Sequence, residues 1–147
     1  MAHLSDATAL ALERFLDAQA SVYDEVVNEL RLGKKQTHWM WFIFPQLVDL
    51  GRSVTARKYG IFDLQEARDF LRHPVLGARL RTCCELLLSH PALTAEAMLG
   101  HIDATKLWSC ATLFLHASGG EPVFQSVLDT FYEGIPDPLT QDILSHR

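Results

Sequence analysis

Paired cysteines, long hydrophobic runs and the familiar catalytic signatures are all missing from this chain. It has three cysteines, of which Cys83 and Cys84 are adjacent and Cys110 leaves the count odd. Neighbouring cysteines rarely bridge, and no Cys-x-x-Cys or His/Cys spacing is present, so reduced thiols on helices are expected, with no metal site. No apolar run approaches the ~20 residues that cross a bilayer. The opening "MAHLSDATAL" has no basic, apolar and small-residue order of a signal peptide, which points to a cytoplasmic location. There is no Gly-rich phosphate loop, no HExxH, no EF-hand loop and no nucleophile elbow. Nor is there an internal repeat or a low-complexity tract, so one domain over residues 1–147 is expected.

What is present is a soluble balance, 48% hydrophobic and 21% charged, with an uneven distribution of charge. The net charge is −5, yet the window from Arg31 to Lys58 holds six basic residues against one acid, Asp49. That window is +5 and the remainder −10. An acidic chain with one local basic window is a poor general nucleic-acid binder, which needs a broad positive surface, but is suited to a small anion. A solvated basic loop is the plainer alternative.

The apolar periodicity is helical almost throughout. Leu12, Phe15 and Leu16 mark one helix, and Tyr23, Val26, Val27 and Leu30 a second. Ser21 with Asp24 reads as a capping box between them, and Gly33 as the stop. Asp63 with Glu66 opens a helix that Pro74 ends, followed by one from about Val75 to Ser89. Thr94 starts a short helix stopped by Gly100, and Asp103 is expected to cap the very apolar "ATKLWSCATLFLHA". Pro122 begins a helix ended by Gly134, and a last one starts near Pro138. No partner strand is evident for the run Trp39–Phe44, so it reads as a short buried helix. The expectation is a compact all-α bundle of about seven to eight short helices.

The chemistry concentrates in "GKKQTHWMWFIFPQ", Gly33 to Gln46. Its rings suit a core, but Trp39 and Trp41 also offer surfaces on which a nucleobase can stack. His38 is the candidate general base, and Gln46 has both donor and acceptor for an amide-like edge. Lys35 with Arg57 or Lys58, beside Tyr59, are candidates for holding an anion. On the apolar helix, Lys106 and Ser109 share a face at i, i+3 spacing. Lys106 in a first turn calls for an anionic ligand or a partner such as Asp103. Among the other histidines, His3 and His146 lie near the termini and His101 in a turn. His73, His90 and His116 read as caps at helix C-termini.

These stretches, with "LERFLDAQ", "GRSVTARKYGI", "EARDFLRHPVLGARL", "DATKLWSCATLF" and "FQSVLDTFYEGIPDPLT", resemble a mostly bacterial, uncharacterised family known as domain of unknown function 1810. The resemblance covers almost the whole chain and implies a compact all-helical single domain. It brings no established reaction, so there are no catalytic residues to carry across, and no cofactor or metal is expected. Family members often carry Pro where Ser21 stands and a serine-methionine pair where Cys110 and Ala111 stand. The name "calpastatin" attached to such proteins does not suit this chain, because that inhibitor is a disordered polypeptide of low hydrophobicity. The functional expectation is a site for a ring-plus-anion ligand, nucleotide-like or ADP-ribose-like, with hydrolysis or transfer as the chemistry if there is any. The alternative is a non-catalytic interaction domain with the aromatic motif as core.

Overall fold

Helix α1 (Asp6–Ala20) opens the described part of the chain, residues 6–146 of a computed structural model. It is followed by α2 (Tyr23–Arg31), α3 (Met40–Ile43), a 3-10 turn (Val48–Leu50), α4 (Val54–Lys58) and α5 (Leu64–Arg72). Then come α6 (Leu76–Leu88), α7 (Ala95–Leu99), α8 (His101–Ala117), α9 (Pro122–Phe131) and α10 (Pro138–Ser145). The all-α expectation holds, but the count is corrected to ten α-helices among the described residues. The unforeseen element is α4, five residues with a single buried side chain, Ala56. It has no apolar stripe to reveal it, only the Ser53 cap, whose Oγ accepts from Ala56 N at 3.0 Å.

The most apolar helix is central, as its nearly continuous hydrophobic circumference requires. α8 packs against α5, α7, α9 and α10, while α6 lies on α2, α3, α5 and α9. A chain of rings runs through the middle. Phe15 of α1 meets Phe70 of α5 edge-on at 5.1 Å, Phe70 meets Phe114 of α8 at 5.4 Å, and Phe114 meets Phe124 of α9 at 5.9 Å. All four are fully buried, and each contributes roughly 1.5–3 kcal/mol relative to exposure.

Most of the foreseen boundaries are present, each with its cause. Asp63 Oδ1 accepts from Glu66 N at 2.8 Å, and Thr94 Oγ1 accepts from Ala97 N at 3.0 Å. Gly33 takes the left-handed φ of 73° that ends α2. Two caps are corrected. Ser21 forms no box, because the turn from α1 to α2 satisfies its own amides: Val22 N donates to Gln19 O and Val26 N to Val22 O. Asp103 is no cap either. α8 begins two residues earlier, directly after Gly100, and Asp103 sits inside its first turn.

Three histidines are also corrected. His73 is the C-cap residue of α5 through its amide, which donates to Asp69 O and Phe70 O, but its imidazole acts elsewhere: Nδ1 accepts from Val75 N and Leu76 N at the start of α6. His90 Nε2 reaches Leu30 O, a carbonyl at the C-terminus of α2, not of its own helix. His116 pairs with the Gln141 side chain. His3 lies outside the described residues. The three cysteines are free and buried, and burial raises the Cys83 thiol to about 12.

After the aromatic run the chain does find a partner, through one parallel bridge between Leu47 and Ile61. Ile61 N donates to Gln46 O at 2.9 Å, and Val48 N donates to Ile61 O at 2.8 Å. Gly60 makes this possible, since a Cβ there would lie 2.5 Å from the Val48 Cα. Arg14 of α1 holds the same corner, donating to Lys58 O and Gly60 O and pairing with Glu66, each at 2.8 Å.

Candidate functional site

Two interactions fix the tryptophan motif in space. Gln19 of α1, itself buried, donates from Nε2 to Phe42 O at 2.8 Å and so pins α3 from below. The second comes from Glu29 on α2, which is only 5% exposed. Its Oε1 accepts from Gln36 N at 2.6 Å, Thr37 N at 3.0 Å and the Trp39 indole at 3.0 Å, and its Oε2 accepts from Thr37 Oγ1 at 2.6 Å. Burial by itself would raise this carboxyl. The bonds from Thr37, the two backbone amides and the indole outweigh it and hold the group at about 2. A carboxylate on α2 therefore organises the loop that carries Lys35, Gln36, Thr37 and His38.

Lys35 is tied at both ends. Its amide donates to Met98 O of α7 at 2.8 Å, and its ammonium meets Asp103 Oδ2 of α8 at 3.0 Å with the side chain 9% exposed. The same ammonium lies 5.2 Å from the centre of the Trp39 ring. Lys106, one turn along α8, approaches Asp103 Oδ1 at 3.6 Å and lies 5.2 Å from the Trp41 ring. Two cations thus converge on one carboxylate, each against one tryptophan, which leaves one positive charge in a partly desolvated setting. Trp39 and Lys35 form the buried half of this arrangement. Trp41 is half-buried and Lys106 is 21% exposed, so they form the accessible half.

The structure thus brings together Lys35, Trp39, Trp41 and Lys106 from the sequence candidates, with Asp103 as the shared partner. His38 is exposed on the organised loop and Gln46 is half-buried past Pro45; among the described residues neither side chain has a hydrogen bond or ion pair within the protein. Arg57, Lys58 and Tyr59 belong to a different corner. Arg57 Nε reaches Gly51 O at 3.5 Å, the Lys58 ammonium lies 5.3 Å from the Tyr59 ring, and Tyr59 packs on Phe15 and Phe42. Ser109 is buried and donates to Asp137 Oδ2 at 2.7 Å. Asp137 also accepts from Thr140 Oγ1 and from Leu139 N while its own amide donates to Thr112 Oγ1, a closed network that docks α10 on α8.

Glu29 and Arg14 are the organising residues that sequence reasoning passed over. Glu29 stands on the helical face with Val26 and Leu30, and a carboxylate at an apolar position beside a downstream tryptophan was the available signal. No group of three or more His, Cys, Asp or Glu among the described residues is placed to hold a metal ion. No helix among them is long and apolar enough to cross a membrane.

Fold and site together define a small all-helical domain in which Glu29, Lys35, Asp103 and Lys106 gather around one tryptophan motif. The chain belongs to the family of proteins of unknown function DUF1810, whose model matches residues 9–144. It is similar to the crystal structure of the conserved hypothetical protein Rv1873 from Mycobacterium tuberculosis, with 44% sequence identity and a TM-score of 0.89. That match covers 91% of this chain and 96% of the other. Comparison with curated proteins gives no match.

Proposed function

We propose that the protein binds a small molecule that combines a ring with an anionic group, nucleotide-like or ADP-ribose-like, at the accessible edge of the tryptophan motif. The observation that carries this reading is the convergence of Lys35 and Lys106 on the single carboxylate of Asp103, each ammonium against an indole ring. Lys35 is spent on Asp103, so the uncompensated charge belongs to Lys106, and the ring beside it is Trp41. A ligand ring lies against Trp41 while its phosphate or carboxylate meets Lys106. If the ligand is also a substrate, His38 is the side chain suited to act as general base, in hydrolysis or group transfer.

The test is a thermal-shift screen of nucleotides, ADP-ribose derivatives and phosphorylated metabolites against the wild type, Lys106→Ala and Trp41→Leu. At least one compound is expected to raise the melting temperature of the wild type. Lys106→Ala should abolish that rise while its unliganded melting point stays close to the wild type. A screen without a hit, or a rise that survives Lys106→Ala, overturns the reading and leaves the motif as core.

A further inference from the structure

α8 presents a second face besides the one that carries Asp103 and Lys106. By its 3.6-residue period, Ala104, Thr105 and Trp108 point roughly opposite to Asp103 and Lys106. There a cleft of about 490 Å³ opens between the N-terminus of α7, α8 and the end of α9. Trp108, Phe131 and Tyr132 line it, and the same three residues also line an adjoining depression of about 310 Å³.

Three aromatic side chains line this cleft beside the polar Thr94, Glu96 and Thr105. Trp108 and Tyr132 stack with centroids 5.8 Å apart and planes 14° from parallel. Their polar ends are engaged within the protein: the Trp108 indole donates to Ile135 O at 2.7 Å, and the Tyr132 hydroxyl donates to Ala104 O. The charged lining is of one sign, Glu96 in the cleft and Glu133 in the depression. Burial is the main cause of the raised Tyr132 phenol, with a smaller push from Glu96. Glu133 is held at a φ of +56°, alone among the described non-glycine residues in the left-handed region. The side chain beside Glu96 is His101, 3.1 Å away and highly exposed.

We propose that this cleft binds a small alkylated ammonium ion, a site separate from the one beside Trp41. π-Faces attract a cation, most strongly one whose alkyl groups keep its own hydration weak, and the rim carboxylates supply the long-range attraction. An anion would face Glu96 and Glu133. The volume lies within the range of small-ligand sites. Neither the anion reading nor any reaction is needed for this site, and the two stand or fall independently.

The experiment is a two-dimensional NMR titration of the full chain with choline. Its uncharged isostere 3,3-dimethyl-1-butanol, in which carbon replaces the quaternary nitrogen, is titrated alongside. Choline should give saturable shifts centred on the Trp108 indole and on the amides of Phe131, Tyr132 and Glu133. The isostere should bind several-fold more weakly. The double variant Glu96→Gln/Glu133→Gln changes exposed side chains and should keep the fold, while weakening choline roughly fivefold. Equal binding of the neutral isostere, scattered or non-saturating shifts, or unchanged affinity in the double variant would overturn the proposal.

Discussion

The carboxylate of Glu29 accepts the indole N–H of Trp39 at 3.0 Å, in the same buried spot where it receives two amides and a hydroxyl from the intervening loop. Trp39 is 1% exposed, so its N–H has no water to turn to. Glu29→Gln keeps the shape but removes the charge that strengthens all four bonds, and it turns an NH2 toward donors. Destabilisation of about 2–4 kcal/mol is expected, read as a shift of the urea midpoint. Trp39→Phe leaves the other three bonds in place and should lose less of its stability through this carboxylate than through the space the smaller ring leaves behind.

The acid limb of stability should trace to this residue. Glu29 titrates at about 2 in the fold against an ordinary 4.5, so the folded protein binds that proton less readily than the unfolded chain. Its stabilisation is complete above about pH 4.5 and is lost as the pH falls toward 2, a span worth roughly 3 kcal/mol. His73 acts in the same direction at higher pH. Burial lowers its pKa below the usual 6.5, so its contribution is present above that value and fades as the pH drops through the lowered one. Urea midpoints measured from pH 8 to 2.5 should show two steps. Glu29→Gln should flatten the lower, and His73→Asn, which can still accept at the start of α6, the upper.

Gly77 is a test of close packing at the α5–α6 corner. A Cβ at this position would lie 2.1 Å from Leu71 O, a backbone atom that cannot swing aside. Alanine normally favours a helix over glycine by up to ~1 kcal/mol, so the intrinsic preference and the packing oppose each other. Packing should win: Gly77→Ala is expected to destabilise by about 2 kcal/mol, visible in a thermal melt.

The two lysines on Asp103 should differ sharply in their effect on stability. Lys106→Met removes the longer, more exposed contact and should cost less than about 1 kcal/mol. Lys35→Met removes the 3.0 Å partner of a largely buried pair and should cost roughly 1–3 kcal/mol. The double substitution strands Asp103 without either cation, so it should exceed the sum of the singles, a coupling that denaturant unfolding of all four proteins measures.

The helical layout was legible because its signals are local. Caps such as Asp63 and Thr94 lie within three residues of the amides they satisfy, and the apolar stripes repeat every turn. The short α4 was not, because five residues with one buried side chain carry no period. At the site, the grouping of Lys35, Trp39 and Trp41 with Lys106 could be foreseen from chemistry alone. Their separation from Arg57, Lys58 and Tyr59 could not, because it depends on where the Leu47–Ile61 bridge sends the chain. Ser109 looked available from its spacing to Lys106, and only the tertiary position of Asp137 shows its hydroxyl engaged. Glu29 was missed for a related reason: a buried carboxylate announces itself through its donors, and those come from a loop with no regular geometry.

The double attachment of Lys35 also bears on the order in which the chain can assemble. Its amide waits for Met98 and its ammonium for Asp103, both far downstream of the motif. The tryptophan motif, synthesised early, cannot close against these partners until α7 and the start of α8 have emerged from the ribosome. During that interval its large apolar rings have no finished wall to cover them, and a nascent chain stalled short of Asp103 is the species in which they would be most open to chaperones or to aggregation.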